Sequence, residues 1–309
     1  MTTSHPQAVT DAGEPATHAP GSRIAIGTVQ FGKRYGVANR LGQLTASDAA
    51  RVLQLGRLNG VDCLDTAIAY GDSERVLGEL GVSEWNVVTK LPRIPPETRD
   101  IGSWVRAQFA GSLQRLRLRR CYGLLLHNAA DLAGPTGTAI HEAVLALKSD
   151  GFVRKVGVSV YSPAELDATA ARYPLDLVQA PLNVVDRRFL DSGWLRRLHD
   201  AGTEVHVRSS FLQGLLLLDA DSIPAKFHPW KPLWDEWHRW LRASEITALA
   251  GCLGFPLSIP EVGKVVVGVD SPEQFSQIMN AIGAADHRPP AHLASTDENL
   301  INPSLWDRL

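Results

Sequence analysis

The chain has 309 residues, of which 44% are hydrophobic and 21% are charged, and its formal net charge is −2. This length fits one large domain, and the balanced charge argues against nucleic acid or an anionic membrane surface as a partner. No apolar run approaches the roughly 18 residues that a membrane-spanning helix needs, so no membrane partner is expected.

The three cysteines indicate a reducing compartment. Cys63, Cys121 and Cys252 lie far apart in the sequence, are odd in number and form no CxxC motif. Free thiols buried in a cytoplasmic protein fit this pattern better than a disulfide or a zinc site, and no metal site is predicted.

The first 22 residues differ in composition from the rest of the chain. They are rich in Ala, Pro, Thr and His, and they lack the apolar core of a signal peptide. We expect residues 1–22 to form a disordered tail in front of a single domain that spans residues 23–309.

From residue 23 onward, short runs of β-branched and apolar residues alternate with longer stretches of helical periodicity. Most of the short runs are almost continuously apolar, as parallel strands covered on both faces are. Eight strands are predicted in this way, at residues 23–28, 61–65, 85–90, 121–127, 154–159, 176–180, 203–209 and 264–269.

Helical patterns fill the segments between the predicted strands. Residues 101–118 place five apolar side chains on one stripe. Ser162-Pro163-Ala164-Glu165 and Ser271-Pro272-Glu273-Gln274 each combine a capping box with proline at the first helical position. Both motifs therefore predict the start of a helix.

Eight strand and helix units within one domain predict a (β/α)₈ TIM barrel, an α/β fold. An open, doubly wound sheet is the alternative. That fold would carry a glycine-rich phosphate loop after its first strand, whereas the sequence there, GTVQFGKRYG, contains no GxGxxG pattern.

A tryptophan-rich segment, residues 227–241, follows the seventh predicted strand. Trp230, Trp234, Trp237 and Leu241 recur with helical spacing, which favours a helix that buries a tryptophan stripe against the barrel. Because loops after barrel strands build active sites, the other interpretation is a roof over the substrate, with Trp230 as a substrate-binding residue.

Four titratable side chains are predicted at the C-terminal ends of neighbouring strands, where TIM barrels hold their functional groups. Asp65 ends the second strand, and Tyr70 follows it in DTAIAYG. Lys90 ends the third strand, and His127 ends the fourth. Each residue alone could cap a turn or stabilise a loop, but their convergence on one face favours a catalytic site.

These motifs, in this order, resemble the Asp-Tyr-Lys-His tetrad of the aldo-keto reductase family. DTAIAYGDSE, the lysine after WNVVT and the histidine of LLLHN carry the likeness, and GFVRKVGVSVY and VQAPLNVVDR are similar to the fifth and sixth strand segments of the family. The resemblance covers about residues 23–282. It implies an oxidoreductase that transfers a hydride between NAD(P)H and the carbonyl or alcohol of a small molecule. VRSSFLQGLLLL is similar to members associated with carbohydrate metabolism, which implies a polar substrate such as a sugar or sugar derivative.

Elementary chemistry supports the roles that the resemblance implies. Hydride transfer to a carbonyl carbon leaves an alkoxide that must gain a proton, and Tyr70 would donate it as general acid. Lys90 would lower the pKa of Tyr70, and Asp65 would pair with Lys90 and hold it in place. His127 would donate a hydrogen bond to the carbonyl oxygen and orient it.

The resemblance also implies contacts with the cofactor. Ser159 and Gln179 would bind the nicotinamide carboxamide, and the loop SSFLQG after the seventh strand would hold the pyrophosphate. The loop and helix after the eighth strand would hold the adenosine half. The complete predicted set is Gly27, Thr28, Ser159, Gln179, Arg208, Ser209, Leu212, Gln213, Gly214, Gly268, Ser271 and Gln274.

Several positions depart from the usual pattern of the family. Val160 stands where Asn is usual, and Arg208 stands where an aromatic residue usually lies under the nicotinamide. Asp270 and Ser271 stand where members that prefer NADPH carry a base for the 2′-phosphate, and a carboxylate there repels phosphate. The expected cofactor is NADPH with NADH as the alternative, and Arg208 is a candidate partner for the pyrophosphate.

A second hypothesis is a nucleotide-binding barrel that acts as a redox sensor or regulator without efficient turnover. The altered cofactor contacts leave room for it, whereas the complete tetrad favours an enzyme. No long apolar stripe in the sequence requires a protein partner.

Overall fold

The computed structural model describes residues 20–282 and 288–308. Eight parallel strands close into a barrel in sequence order, and the last strand pairs with the first. The predicted TIM barrel is confirmed, and the open sheet is excluded. The strands are β1 (Ile24–Gly27), β2 (Cys63–Asp65), β3 (Asn86–Leu91), β4 (Cys121–Leu126), β5 (Val153–Ser159), β6 (Leu177–Pro181), β7 (Glu204–Arg208) and β8 (Lys264–Gly268).

Helices follow the strands and cover the outside of the barrel. Among the described residues, one α-helix of seven or more residues follows each strand, except that two lie between β7 and β8. They are α1 (Ala46–Leu58), α2 (Ser73–Leu80), α3 (Ile101–Leu116), α4 (Gly137–Ser149), α5 (Pro163–Thr169), α6 (Trp194–Asp200), α7 (Lys231–Ala243), α8 (Ala248–Leu257) and α9 (Pro272–Ala281). Shorter helical turns lie in the loops, among them Leu212–Leu217, Ala225–Trp230 and Pro303–Arg308.

Both faces of the sheet are buried, which explains the continuous apolar runs of the strands. One small cluster fills the inside of the barrel and comprises Ala25, Cys63, Val88, Leu125 and Leu177. A larger cluster lies between the strands and the helices. All three cysteines are buried free thiols, as expected.

The two predicted capping boxes have different outcomes. The Ser271 side chain accepts a hydrogen bond from the backbone N–H of Gln274 and begins α9, as predicted. α5 begins at Pro163, but the Ser162 side chain makes no capping bond. The Glu165 carboxylate instead accepts from the backbone N–H of Tyr161. The predicted capping box at Ser162 is therefore wrong because the serine bond is missing, whereas Glu165, like Gln274 in α9, bonds the residue before the N-cap.

The tryptophan-rich segment divides into a short turn and a helix. Trp234, Trp237 and Leu241 are buried on one face of α7, so the interpretation of a buried tryptophan stripe is confirmed. The Trp234 indole donates a hydrogen bond to the carbonyl of Phe227 at 2.8 Å. Trp230 precedes α7 and belongs to the turn Ala225–Trp230.

The beginning of the described chain lies against the barrel. Residues 20–23 form a short 3-10 helix, and the Gly21 amide donates to the carbonyl of Asn59 at 3.1 Å. The rest of the predicted tail, residues 1–19, lies outside the described residues. Within the described ranges, no helix is long and apolar enough to cross a membrane.

A buried carboxylate fixes α2, the helix that directly follows Tyr70. Glu74 is 1% exposed, and one of its oxygens accepts hydrogen bonds of 2.6 Å from the hydroxyls of Thr89 and Ser112. The other oxygen accepts from Arg115 Nε at 2.8 Å. Glu74 therefore ties α2 to β3 and α3, which limits the movement of the segment that carries Tyr70.

We expect Glu74→Ala to lower the free energy of unfolding by about 3–5 kcal/mol, because it leaves Arg115 and two buried hydroxyls without their acceptor. Glu79→Ala is the matched control on the same helix, where Glu79 forms an exposed ion pair with Arg75. That change should cost about 0.5 kcal/mol. Urea unfolding of both variants tests this, and equal losses would contradict the anchoring role of Glu74.

Candidate active site

The four predicted catalytic residues meet at the C-terminal end of the barrel. Asp65 is the last residue of β2, Lys90 lies near the end of β3, and His127 directly follows β4. Tyr70 lies between β2 and α2. The parallel arrangement of the strands brings their carboxyl ends to the same rim, where TIM barrels place functional groups.

Asp65 and Lys90 form a fully buried ion pair. Lys90 Nζ lies 2.7 Å from each Asp65 carboxylate oxygen and donates a further hydrogen bond to the Thr66 carbonyl at 2.9 Å. Lys90 is 0% exposed and Asp65 is 3% exposed. Burial lowers the pKa of Lys90, and the Asp65 carboxylate opposes that effect. All three ammonium protons of Lys90 therefore have acceptors.

Tyr70 lies between this ion pair and His127. Lys90 Nζ lies 5.1 Å from the centroid of the Tyr70 ring, and the Tyr70 and His127 rings meet edge to face at 5.7 Å. Burial raises the pKa of Tyr70 well above its usual value, and the negative charge of Asp65 raises it further. Burial therefore sets the net direction of this pKa, and the Lys90 cation beside the ring does not bring it below its usual value.

His127 is neutral at physiological pH. Burial lowers the pKa of its imidazole to about 3, and the nearby charges of Lys90 and Arg208 act in the same direction. A neutral imidazole keeps one N–H as a hydrogen-bond donor. His127 is therefore available as a donor to a carbonyl oxygen without losing a proton to it.

Two residues that are predicted to contact the nicotinamide are connected to the buried ion pair by hydrogen bonds. Gln179 Nε2 donates a hydrogen bond to Asp65 Oδ1 at 2.6 Å, and the Ser159 hydroxyl donates to Gln179 Oε1 at 3.3 Å. Both side chains are at least 98% buried. The structure thus connects β5 and β6 to the Asp65–Lys90 pair through hydrogen bonds.

Gly27 and Thr28, the predicted cofactor residues at the end of β1, make contacts within the barrel. Gly27 pairs in register with Asp65 on one side and Gly268 on the other. The Thr28 hydroxyl donates to the Asp65 carbonyl at 3.0 Å and accepts from Ser73 Oγ at 2.8 Å. Thr28 is fully buried, so its contact with a cofactor stays a prediction.

The loop after β7 has an unusual backbone. Ser209, Leu212 and Gln213 have φ angles of 64°, 48° and 54°, and Gly214 follows with 88°. Turns of this kind can form anion-binding concavities, and here the Leu212 and Gly214 amides donate within the loop to the Ser209 and Phe211 carbonyls at 2.9 Å. Strained residues of this kind also cluster at ligand clamps. The geometry of the loop fits the predicted pyrophosphate site.

Arg208 is held at the rim between β5 and β7. Its guanidinium lies 4.2 Å from the centroid of the Tyr161 ring and donates to the Val160 carbonyl at 3.0 Å. Sequence reasoning missed Tyr161, although it follows Ser159 by two residues. It also missed Ser210, whose hydroxyl is buried without a hydrogen-bond partner in the described part of the chain.

The predicted residues after β8 are engaged in local contacts. Ser271 caps α9, and Gln274 Oε1 accepts from the Asp270 backbone N–H at 2.8 Å. The Asp270 carboxylate accepts from Asn39 Nδ2 at 2.8 Å. A side chain at Gly268 would clash with Gln30. These contacts join the loop after β8 to the loop after β1.

Trp230 does not line the cavity between the loops that follow β1 and β7. Its indole donates to Asp297 Oδ2 at 3.0 Å, and its ring packs against Phe227. The cavity is lined instead by residues 34–37, by Tyr161, Arg208, Ser209, Gln213 and Lys226, and by residues 303, 304, 306 and 307. The structure places Trp306, not Trp230, at this wall, so a substrate contact of Trp230 finds no support in the geometry. No sequence signal singled out Trp306.

Within the described ranges, no group of three or more His, Cys, Asp or Glu side chains is arranged to hold a metal ion.

Comparison with known proteins identifies the family of the chain. The model of the Aldo/keto reductase family matches residues 23–286. The chain therefore belongs to this family of oxidoreductases. A search among curated proteins gave no match.

Solved structures support the fold. The aldo-keto reductase AKR11C1 from Bacillus halodurans, in its holo form, superposes with a TM-score of 0.67 at 20% identity, over 87% of this chain and 88% of that one. The glycerol dehydrogenase AKR11B4 from Gluconobacter oxydans superposes with a TM-score of 0.64 at 20% identity, over 86% of this chain and 88% of that one. At this identity the likeness establishes the shared barrel.

The low pKa of His127 predicts a specific pH dependence of stability. The unfolded chain takes up a proton at His127 near pH 6.5, whereas the folded chain does so only near pH 3. Stability from this group is therefore complete above about pH 6.5 and is lost as the pH falls toward 3. Between pH 7 and 5 the wild type should lose about 2 kcal/mol relative to His127→Gln.

Urea unfolding of the wild type and His127→Gln at several pH values measures this difference. Taking the difference removes the contribution of all other titrating groups, which both proteins share. A difference that does not change with pH would show that His127 is not held neutral.

Proposed function

We propose that the protein is an NAD(P)H-dependent carbonyl reductase with Tyr70 as its general acid. The observation that carries the proposal is the buried Asp65–Lys90 pair, with Tyr70 and His127 above it at the rim. A pure binding module has no need for this set of groups. The glycerol dehydrogenase among the similar structures supports a small hydroxylated substrate, such as a sugar derivative.

The cofactor, when bound, supplies the hydride. The left-handed residues Ser209, Leu212 and Gln213 support a site for its pyrophosphate. The unpartnered hydroxyl of Ser210 in the same loop adds a polar atom that lacks a bond within the described chain. Ser159 and Gln179 would face the carboxamide of the nicotinamide.

The chemistry of the residues follows from their positions. A tyrosine hydroxyl is protonated at physiological pH and the raised pKa of Tyr70 keeps it so, which means that Tyr70 holds the proton that the developing alkoxide needs. The charge of Lys90, 5.1 Å from the ring, stabilises the phenolate that remains. His127 donates a hydrogen bond to the carbonyl oxygen and orients the carbonyl for attack. Asp65 holds Lys90 in place.

The choice between NADPH and NADH depends on Asp270 in this proposal. Its carboxyl group lies beside the predicted adenosine site and accepts a hydrogen bond from Asn39, and burial raises its pKa. We propose NADPH as the cofactor with NADH as a usable alternative. A cytoplasmic location completes the proposal, since it agrees with three buried free thiols.

Tyr70→Phe should reduce the turnover of carbonyl reduction by about 10²–10⁴-fold, because the variant lacks the donated proton. Steady-state kinetics with NADPH and an aldehyde measure the loss. The affinity for NADPH, followed by tryptophan fluorescence, should stay within twofold (about 0.4 kcal/mol) of the wild type, because the hydroxyl is placed at the carbonyl.

Wild-type turnover in Tyr70→Phe would refute the general-acid role. A wild-type protein that binds the cofactor tightly but reduces no carbonyl compound would favour the sensor hypothesis over the enzyme.

Asp270→Asn should strengthen NADPH binding about fivefold more than NADH binding, which corresponds to removing a repulsion of about 1 kcal/mol. Asparagine keeps an oxygen for the bond from Asn39, so the loop after β1 stays in place. Fluorescence titrations with both cofactors test this, and NADH serves as the internal control. Equal changes for both cofactors would show that residue 270 does not face the 2′-position.

A further inference from the structure

A cavity of about 430 Å³ lies between the loops that follow β1 and β7 and the segment around Trp306. Its inner wall is formed by Tyr161, Arg208 and Ser209 at the rim of the barrel, and Arg208 and Tyr161 lie close enough to Tyr70 to influence its pKa. Its outer wall is formed by residues 34–37 and by the segment around Trp306. A cavity of this size holds one small organic molecule.

Three cations line this cavity, and none of them has an ionic partner. Arg34 donates to the Asn39 carbonyl at 3.1 Å, Lys226 to the Trp306 carbonyl at 2.9 Å, and Arg208 to the Val160 carbonyl. Within residues 20–282 and 288–308, no carboxylate lies within 4.0 Å of any of the three charged groups. One carboxylate, that of Asp307, lines the same cavity.

Several other cations in the chain have a carboxylate partner, whereas Arg23 and Arg187, like these three, bond only to neutral oxygens. Lys155 bonds Glu204, Lys148 bonds Asp176, and Arg188 bonds Asp186. Three like charges around one concave space repel each other and raise the affinity of that space for an anion. The excess positive charge is therefore a property of this cavity.

Arg34 and Lys226, the two cations on the outer wall, are held in place without an ionic partner. The Trp306 indole donates to the Leu300 carbonyl at 3.1 Å, and its ring packs edge to face on Phe227 at 4.7 Å. This fixes the carbonyl that accepts from Lys226. Lys226 also lies 5.3 Å from the centroid of the Phe227 ring. Its ammonium has two further protons available for a ligand.

We infer that Arg34 and Lys226 form a subsite for the phosphate or carboxylate group of the substrate. The inference rests on the proposed function and narrows it: the substrate is a small carbonyl compound with an anionic end. Its carbonyl lies at Tyr70 and His127, and its anionic end lies at the outer wall. Tyr35, which is 41% exposed, and Tyr161 offer aromatic faces to the carbon skeleton between the two ends.

The subsite adjoins the predicted pyrophosphate site, because Ser209 and Gln213 line the same cavity and Gln213 Nε2 donates to the Tyr35 hydroxyl at 3.2 Å. Arg208 and Ser209 belong to the segment that is predicted to hold the cofactor. Arg34 lies on the loop after β1, and Lys226 lies on the turn before α7. Removing these two outer charges should therefore affect the substrate and leave the cofactor affinity unchanged.

Two matched pairs of aldehydes test the inference. 4-Formylbenzoate and 4-nitrobenzaldehyde have nearly the same shape but differ in charge, and glyceraldehyde 3-phosphate and glyceraldehyde differ by a phosphate. Arg34→Gln with Lys226→Gln should lower kcat/KM for both anionic compounds by about tenfold or more, as expected for the loss of charged hydrogen bonds. kcat/KM for the neutral compounds should change less than twofold (about 0.4 kcal/mol).

Arg40→Gln, on the same loop, and Lys231→Gln, whose lysine pairs with Asp235, are the control variants outside the cavity. Neither should alter the preference between charged and neutral compounds. The KM of the wild type for 4-formylbenzoate should rise with added salt, because the subsite is open to solvent.

The outcomes separate the two proposals. If the double variant loses anionic and neutral activity equally, or if its affinity for NADPH falls while the preference for anionic aldehydes stays, the subsite is refuted and the reductase remains. If the wild type reduces none of the four aldehydes, the proposed function fails. In that case, calorimetric titration of the wild type and the double variant with 4-formylbenzoate and 4-nitrobenzaldehyde tests the subsite independently of turnover. The double variant should bind 4-formylbenzoate more weakly than the wild type does, with no such difference for 4-nitrobenzaldehyde.

Discussion

The buried ion pair between Asp65 and Lys90 is the interaction on which the rim of this barrel depends. Removing two charges from water is costly, and the pair is tolerable only when the remaining hydrogen-bonding positions are also filled. Here the Thr66 carbonyl takes one proton of Lys90, and Gln179 donates to Asp65. The pair thus requires residues from β2, β3 and β6 to keep one relative position.

The two ends of the barrel use buried charge differently. At the end opposite the site, Glu204 accepts from Tyr122, Lys155 and His206. Burial alone would raise the pKa of Glu204, but these donors hold it well below the usual range. Every partner there is internal, so that end is a stability element. At the rim, Arg208 and Lys226 are bonded only to neutral oxygens, which leaves charge for a ligand.

The sequence is sufficient to predict those features of the fold and the site that depend on local residue pattern and on the order of the strands. Continuous apolar runs predict the eight strands, and the residue at each strand end predicts the convergence of Asp65, Lys90 and His127. The direction of the Tyr70 pKa could not be deduced in this way, because it depends on how deeply the fold buries the phenol. Lys226 and Trp306 were missed for a related reason, since distant segments of the chain bring them to the cavity.

The left-handed residues after β7 have a consequence for engineering. Each non-glycine residue in that conformation costs about 1 kcal/mol or more of folding free energy. Replacing Gln213 by glycine would relieve that strain and is what a search for thermostability would choose, whereas Leu212 is fully buried and its removal would leave a cavity in the core. Glycine at position 213 would let the loop sample many shapes before a ligand arrives, so a more stable protein would hold a nucleotide at the proposed site more weakly.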